Sequence, residues 1–182
     1  SPAEVRAALA AGAPASHLVH SNPVARRDHL CEAHDLGVRL FVLDSPGEVA
    51  KLADAAPGAS MLVRIVTSGS GSDWPLSRKY GCSVEDAVAL LRDAARLGLD
   101  PAGVSFHVGS QQRDPQAWGP PIRSAARVFE AVRAHGIRPW LLDLGGGFPA
   151  ALEGGEVPSV SEFGAAIETH LADAFGDDRP RT

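Results

Sequence analysis

The chain has 182 residues, of which 45% are apolar and 21% charged, and its net charge is −5, so it can build one substantial soluble domain but lacks the basic excess a nucleic-acid surface needs. Its two cysteines, Cys31 and Cys82, are too few for a disulfide framework and fit a reduced, cytoplasmic setting. No run approaches the roughly 18 apolar residues of a membrane span, and no charged-then-apolar leader opens the sequence.

Helix start and stop signals punctuate the chain. Ser1-Pro2-Ala3-Glu4-Val5 places a serine N-cap, a proline at the first helical position and a glutamate able to reach back to the cap. An apolar run at 17–21 reads as a buried strand. Gly37 suits a left-handed C-terminal cap, and a second strand follows at 39–43. Ser45-Pro46-Gly47-Glu48-Val49 nearly repeats the first start signal. A third strand spans 61–66, and the polar stretch 67–73 reads as a flexible loop.

Gly98 closes the next helix, and 103–108 forms a fourth strand. A helix over 116–134 carries Trp118, Ile122, Ala125, Phe129 and Val132 at a spacing of three and four, one buried stripe. Gly119-Pro120-Pro121 interrupts its first turns and predicts a kink or a later start. Gly136 closes this helix, a fifth strand spans 139–144, and Ser159-Val160-Ser161-Glu162 opens the last helix. Strands alternating with helices imply a parallel sheet, either doubly wound or closed into a barrel.

Two motifs carry chemistry. Val104-Ser105-Phe106-His107-Val108-Gly109-Ser110 ends an apolar run in a flat imidazole and a hydroxyl. Leu141-Leu142-Asp143-Leu144-Gly145-Gly146-Gly147-Phe148-Pro149 ends one in three glycines, whose N–H groups can turn toward a phosphate. Pro149 stands where a dinucleotide fingerprint would continue toward a further glycine opening a helix, so a nicotinamide or flavin site is disfavoured.

With these motifs, and with Ser21-Asn22-Pro23, Leu43-Asp44-Ser45-Pro46-Gly47-Glu48-Val49, Leu62-Val63-Arg64-Ile65 and Leu76-Ser77-Arg78-Lys79-Tyr80-Gly81, the chain resembles the fold-type III pyridoxal-phosphate decarboxylases. These are the ornithine, lysine, arginine and diaminopimelate decarboxylases, and the resemblance, closest to the ornithine and lysine branch, covers nearly the whole chain. It implies an α/β fold, a partial (β/α)8 barrel of the alanine-racemase-like type. Residues 1–182 would form the central part of one barrel domain, lacking its first and last strands and the C-terminal β domain. In the family those missing parts carry the cofactor-binding lysine, the acidic partner of the pyridine nitrogen, the proton-donating cysteine and a substrate-reading aspartate. No catalytic residue is therefore assigned here, Lys51 and Lys79 included, Lys51 having a surface-like context.

Asn22, Asp44, Arg64, His107, Ser110 and the glycine triplet all fall at or just beyond strand C-termini, where barrel enzymes place their sites. The resemblance implies pyridoxal 5'-phosphate, with His107 stacked on its ring, Arg64 beside it, and Ser110, Gly145, Gly146 and Gly147 on its phosphate. On the residues alone, His107 also fits a core histidine, Arg64 an ion pair with Asp44 or Asp143, and Asp143 a carboxylate accepting nearby backbone N–H groups. The remaining histidines show no metal-ligand spacing with cysteines; most fit surface positions or places behind the site, and no metal is implied.

The resemblance implies α-decarboxylation of a basic L-amino acid, ornithine or lysine, giving putrescine or cadaverine for polyamine synthesis, in a full-length homodimer. The 67–73 loop and Lys79 would approach the partner subunit. A pyridoxal-phosphate-binding homologue or regulator without turnover, an amino-acid racemase on the same barrel, and a phosphate-binding barrel enzyme without pyridoxal are the rival readings. The isolated 182-residue piece is expected to be inactive.

Overall fold

The computed structural model describes residues 1–76, 79–151 and 156–182. Helices α1 (Pro2–Ala10), α2 (Arg27–Asp35), α3 (Pro46–Ala55), α4 (Val84–Arg96), α5 (Gly119–Arg133) and α6 (Val160–Phe175) alternate with strands β1 (Val19–His20), β2 (Leu40–Leu43), β3 (Ser60–Arg64), β5 (Asp100–Ser105) and β7 (Leu141–Asp143). Two further short strands, β4 (Ser72–Trp74) and β6 (Ser110–Gln112), pair with each other.

The five main strands are all parallel and stand in the order β1-β2-β3-β5-β7. That order never reverses, so the sheet has no switch point of the doubly wound kind and is instead a curled barrel wall. Its two faces differ. One packs Phe41, Leu43, Met61, Val63, Ile65, Val104, Phe106 and Leu142 against the helices. The other buries only a small cluster, Val42, Leu62 and Ala102, and this is the inner face.

Local signals explain most boundaries. Ser1–Glu4 and Ser159–Glu162 both form complete capping boxes, and Gly37, Gly98 and Gly136 take positive φ at helix ends. The third start signal behaves differently. Ser45 makes no side-chain cap bond, and the Glu48 carboxylate, instead of reaching back to the cap, accepts from Lys51 Nζ and the Ala25 N–H. Lys51 also donates to the Ala25 carbonyl at 2.8 Å. It is therefore a half-buried tie on the loop after β1, not a surface residue.

The Gly119-Pro120-Pro121 interruption produces a late start. A 3-10 turn, Pro115–Trp118, precedes α5, whose first turn accepts prolines because its N–H groups have no helical partner. Trp118, Ile122, Ala125, Phe129 and Val132 are all fully buried. The polar stretch after β3 is not a free linker. Its end forms β4, Thr67 Oγ1–H donates to the His107 carbonyl at 2.6 Å, and Gln112 Nε2–H donates to the Ser70 carbonyl at 2.8 Å. Among the described residues no helix is long and apolar enough to cross a membrane.

Candidate functional site

The inner face acquires its polar end through one irregularity. Ladder pairing slips between Met61 and Leu62, so that Met61 faces Pro101 while Leu62 faces Gly103. The extra residue reverses the alternation of β5: Ala102 lies in the inner cluster, but Val104 and Phe106 pack on the helical side. Ser105 therefore joins Arg64 and Asp143 in one row across three strands. A side chain at Gly103 would stand 1.8 Å from the Leu141 carbonyl oxygen, so only glycine allows this close approach.

His107 lies two residues beyond the end of β5. Its Nδ1 accepts the Gly109 N–H at 3.0 Å, so the neutral ring carries its proton on Nε2. Burial, and secondly the Arg64 guanidinium, hold its pKa below the ordinary imidazole value. At neutral pH this is an uncharged, flat ring whose Nδ1 is held by the Gly109 N–H and whose own carbonyl accepts from the Thr67 hydroxyl.

The glycine bend faces that ring. Gly145 and Gly147 take φ of +66° and +111°, and side chains there would stand 2.0 Å and 2.1 Å from the carbonyl oxygens of Phe106 and Gly109. Gly146 is different: a Cβ there would lie 3.6 Å from His107 Nε2, in the space between ring and bend. Asp143 holds the entry to the bend, with Oδ1 accepting the Gly145 N–H and Oδ2 the Ser105 hydroxyl, each at 2.9 Å. Gly145 thus contributes the turn, and its own N–H is committed to Asp143.

Arg64 supplies charge without a carboxylate partner. Among the described residues no acidic oxygen stands within 4.0 Å of its guanidinium, which lies instead 5.2 Å from the Tyr80 ring centroid. The alternative ion pair with Asp44 or Asp143 does not form; Asp44 instead accepts the Gly81 N–H at 2.9 Å, and Asp143 accepts from Ser105 and Gly145. Burial lowers the Arg64 pKa, with Asp44, Tyr80 and Asp143 opposing. Cys82, alongside, is no nucleophile: burial pushes its thiol up to about 12, and Sγ–H donates to the Arg64 carbonyl.

The structure therefore gathers Arg64, His107, Gly145, Gly146 and Gly147 at one end of the sheet. Ser110 opens β6 one residue after Gly109, and the Gln112 N–H ties the same strand to the Gly147 carbonyl at 2.8 Å. Asn22 lies apart on the edge strand side, its Oδ1 capping the Val24 N–H. His20, one of the histidines without metal-ligand spacing, is buried against Phe41. Ser77 and Arg78 of the family-like motif lie outside the described residues. Thr67, Gln111, Gln112 and Trp118 also shape the site; of these, only Trp118 carries a sequence signal, its place in the buried stripe.

The family model described as "Pyridoxal-dependent decarboxylase, pyridoxal binding domain" matches residues 1–182. A lysine/ornithine decarboxylase from Selenomonas ruminantium is 36% identical over 166 residues, covering 91% of this chain and 42% of the relative. Antizyme inhibitor 2 from Mus musculus is 36% identical over 170 residues, 92% of this chain and 37% of that protein. A crystal structure of SrLDC in complex with PLP and cadaverine superposes with a TM-score of 0.88 at 34% identity, over 100% of this chain and 46% of that one. The chain spans less than half the length of these relatives. It belongs to the pyridoxal-binding domain family of the pyridoxal-dependent decarboxylases, and its cofactor is pyridoxal 5'-phosphate.

Proposed function

We propose that this chain is the central part of a single barrel domain in a decarboxylase of a basic L-amino acid, ornithine or lysine, whose products are putrescine or cadaverine. The observation that carries the reading is the juxtaposition of a neutral His107 ring with a glycine bend whose middle position, Gly146, lies at contact distance from the ring edge. The donor set fits a phosphorylated pyridine: a flat uncharged ring, a bend whose outer two glycines tolerate no side chain, and one desolvated guanidinium without a carboxylate partner among the described residues.

Bound pyridoxal phosphate supplies the electron sink that accepts the bonding pair left when carbon dioxide departs. The residues of this chain bind and orient. His107 would stack on the ring and fix its plane. Ser110 and the N–H groups of Gly146 and Gly147 would hold the phosphate, with Gly145 making the turn. Arg64 would place positive charge beside an anionic cofactor, and its engagement there would offset the desolvation that no carboxylate relieves.

The assembly proposed is a cytoplasmic homodimer. The test uses the full-length protein. Carbon dioxide release from L-ornithine or L-lysine, lost on His107→Ala, supports the decarboxylase. Cofactor binding without turnover would favour the non-catalytic reading, to which the antizyme inhibitor 2 match lends weight, and isomerised substrate without carbon dioxide would mark a racemase.

A further inference from the structure

Among the described residues, Gln111 alone adopts positive φ without being glycine, at +55°. The left-handed region is unfavourable for a residue with a Cβ, so something must hold it there. Its own side chain does so. Gln111 Nε2–H donates to the Ala150 carbonyl at 3.1 Å, and Oε1 accepts the Ala150 N–H at 2.8 Å. One amide side chain thus satisfies both main-chain groups of a residue 39 positions away, as a neighbouring strand would. The next residue continues the attachment through the Gln112 N–H to the Gly147 carbonyl, while the Gln112 side chain is itself held by the Ser70 carbonyl and the Asp114 N–H.

We propose that Gln111 is a positioning residue for the cofactor phosphate: by clamping Ala150 it fixes the separation of Ser110 from the glycine bend, so that both address one phosphate group. This rests on the cofactor reading above. A bend free to move would have to be ordered on binding, and the clamp removes that cost beforehand. The effect is confined to the phosphate end. His107, at the ring end, is fixed independently, its Nδ1 by Gly109 and its carbonyl by Thr67.

The test compares pyridoxal phosphate with phosphate-free pyridoxal as ligands of the full-length protein, by calorimetric titration of wild type, Gln111→Gly and Gln111→Asn. Both substitutions accept positive φ, and neither spans the distance to Ala150. In each, affinity for pyridoxal phosphate should fall about tenfold while affinity for pyridoxal stays within about twofold. Equal losses for both ligands, or none, would overturn the proposal, as would loss of the folded state in both variants. If wild type itself shows no preference for the phosphorylated ligand, the cofactor reading fails, and the proposal with it.

Discussion

Trp118 and Phe148 stack with ring centroids 4.8 Å apart at an interplanar angle of 22°, and the Trp118 Nε1–H donates to the Leu144 carbonyl at 3.2 Å. One buried side chain therefore grips the chain immediately before and immediately after the glycine triplet. Trp118→Phe keeps a ring for Phe148 but leaves the Leu144 carbonyl without its donor, a loss of about 1–2 kcal/mol. Trp118→Ala removes the stack as well and costs about 3–5 kcal/mol. Urea denaturation of the two variants should show that order; equal costs would mean that the ring stack contributes nothing beyond the hydrogen bond.

Gly146 and Gly147 are adjacent yet should fail in opposite ways when replaced by alanine. At Gly147 the added methyl would meet the Gly109 carbonyl in a left-handed backbone, so Gly147→Ala destabilises the fold itself. At Gly146 the methyl meets only the edge of His107 at contact distance. Gly146→Ala should melt within a degree or two of wild type but bind pyridoxal phosphate at least tenfold more weakly, because it fills the space between ring and bend. Thermal melts alongside cofactor titration separate the two. Undiminished binding by Gly146→Ala would mean that the cofactor does not enter this gap.

The contrast shows what the amino-acid sequence carries plainly and what it hides. Strand and helix order, the C-terminal glycines and the convergence of His107 with the triplet are all readable, because each depends on local pattern or on the shared end of parallel strands. The slip at Ala102–Gly103 is not, since one extra residue leaves no mark in the apolar pattern while redirecting everything after it. Pairing of β4 with β6 is equally hidden: a serine- and glycine-rich stretch does not encode a partner some forty residues away. Glu48 illustrates the opposite error, a correct local signal overruled when Lys51 and the Ala25 N–H offer a better tertiary arrangement.

Arg64 sets stability against function. Its guanidinium is half-buried without a carboxylate within 4.0 Å among the described residues, so Arg64→Met removes a desolvation cost and should stabilise the cofactor-free protein by about 1 kcal/mol. The same change deletes the positive charge that helps depress the His107 pKa. Imidazole titration followed by nuclear magnetic resonance should therefore show His107 moving upward, and cofactor affinity should drop. A His107 pKa unmoved by Arg64→Met would break the electrostatic link between the two.

The last prediction concerns acid. His20 is buried against Phe41, with ring centroids 5.8 Å apart, and its Nδ1 has no hydrogen-bond partner among the described residues. Burial lowers its pKa from the ordinary 6.5, as burial also does for His107. Below about pH 6.5 the unfolded chain takes up protons that the folded one refuses. The stability these two rings allow is thus complete above that value, declines as pH falls toward their folded-state pKa values, and levels off beneath them. His20→Phe should be more stable than wild type at pH 7 by about 1 kcal/mol, because an unsatisfied polar atom leaves the core. The difference should widen toward pH 5, since the variant no longer carries one of the two proton-refusing groups. Denaturation midpoints measured across that range decide the matter: parallel curves for variant and wild type would show that His20 is not a source of the acid sensitivity.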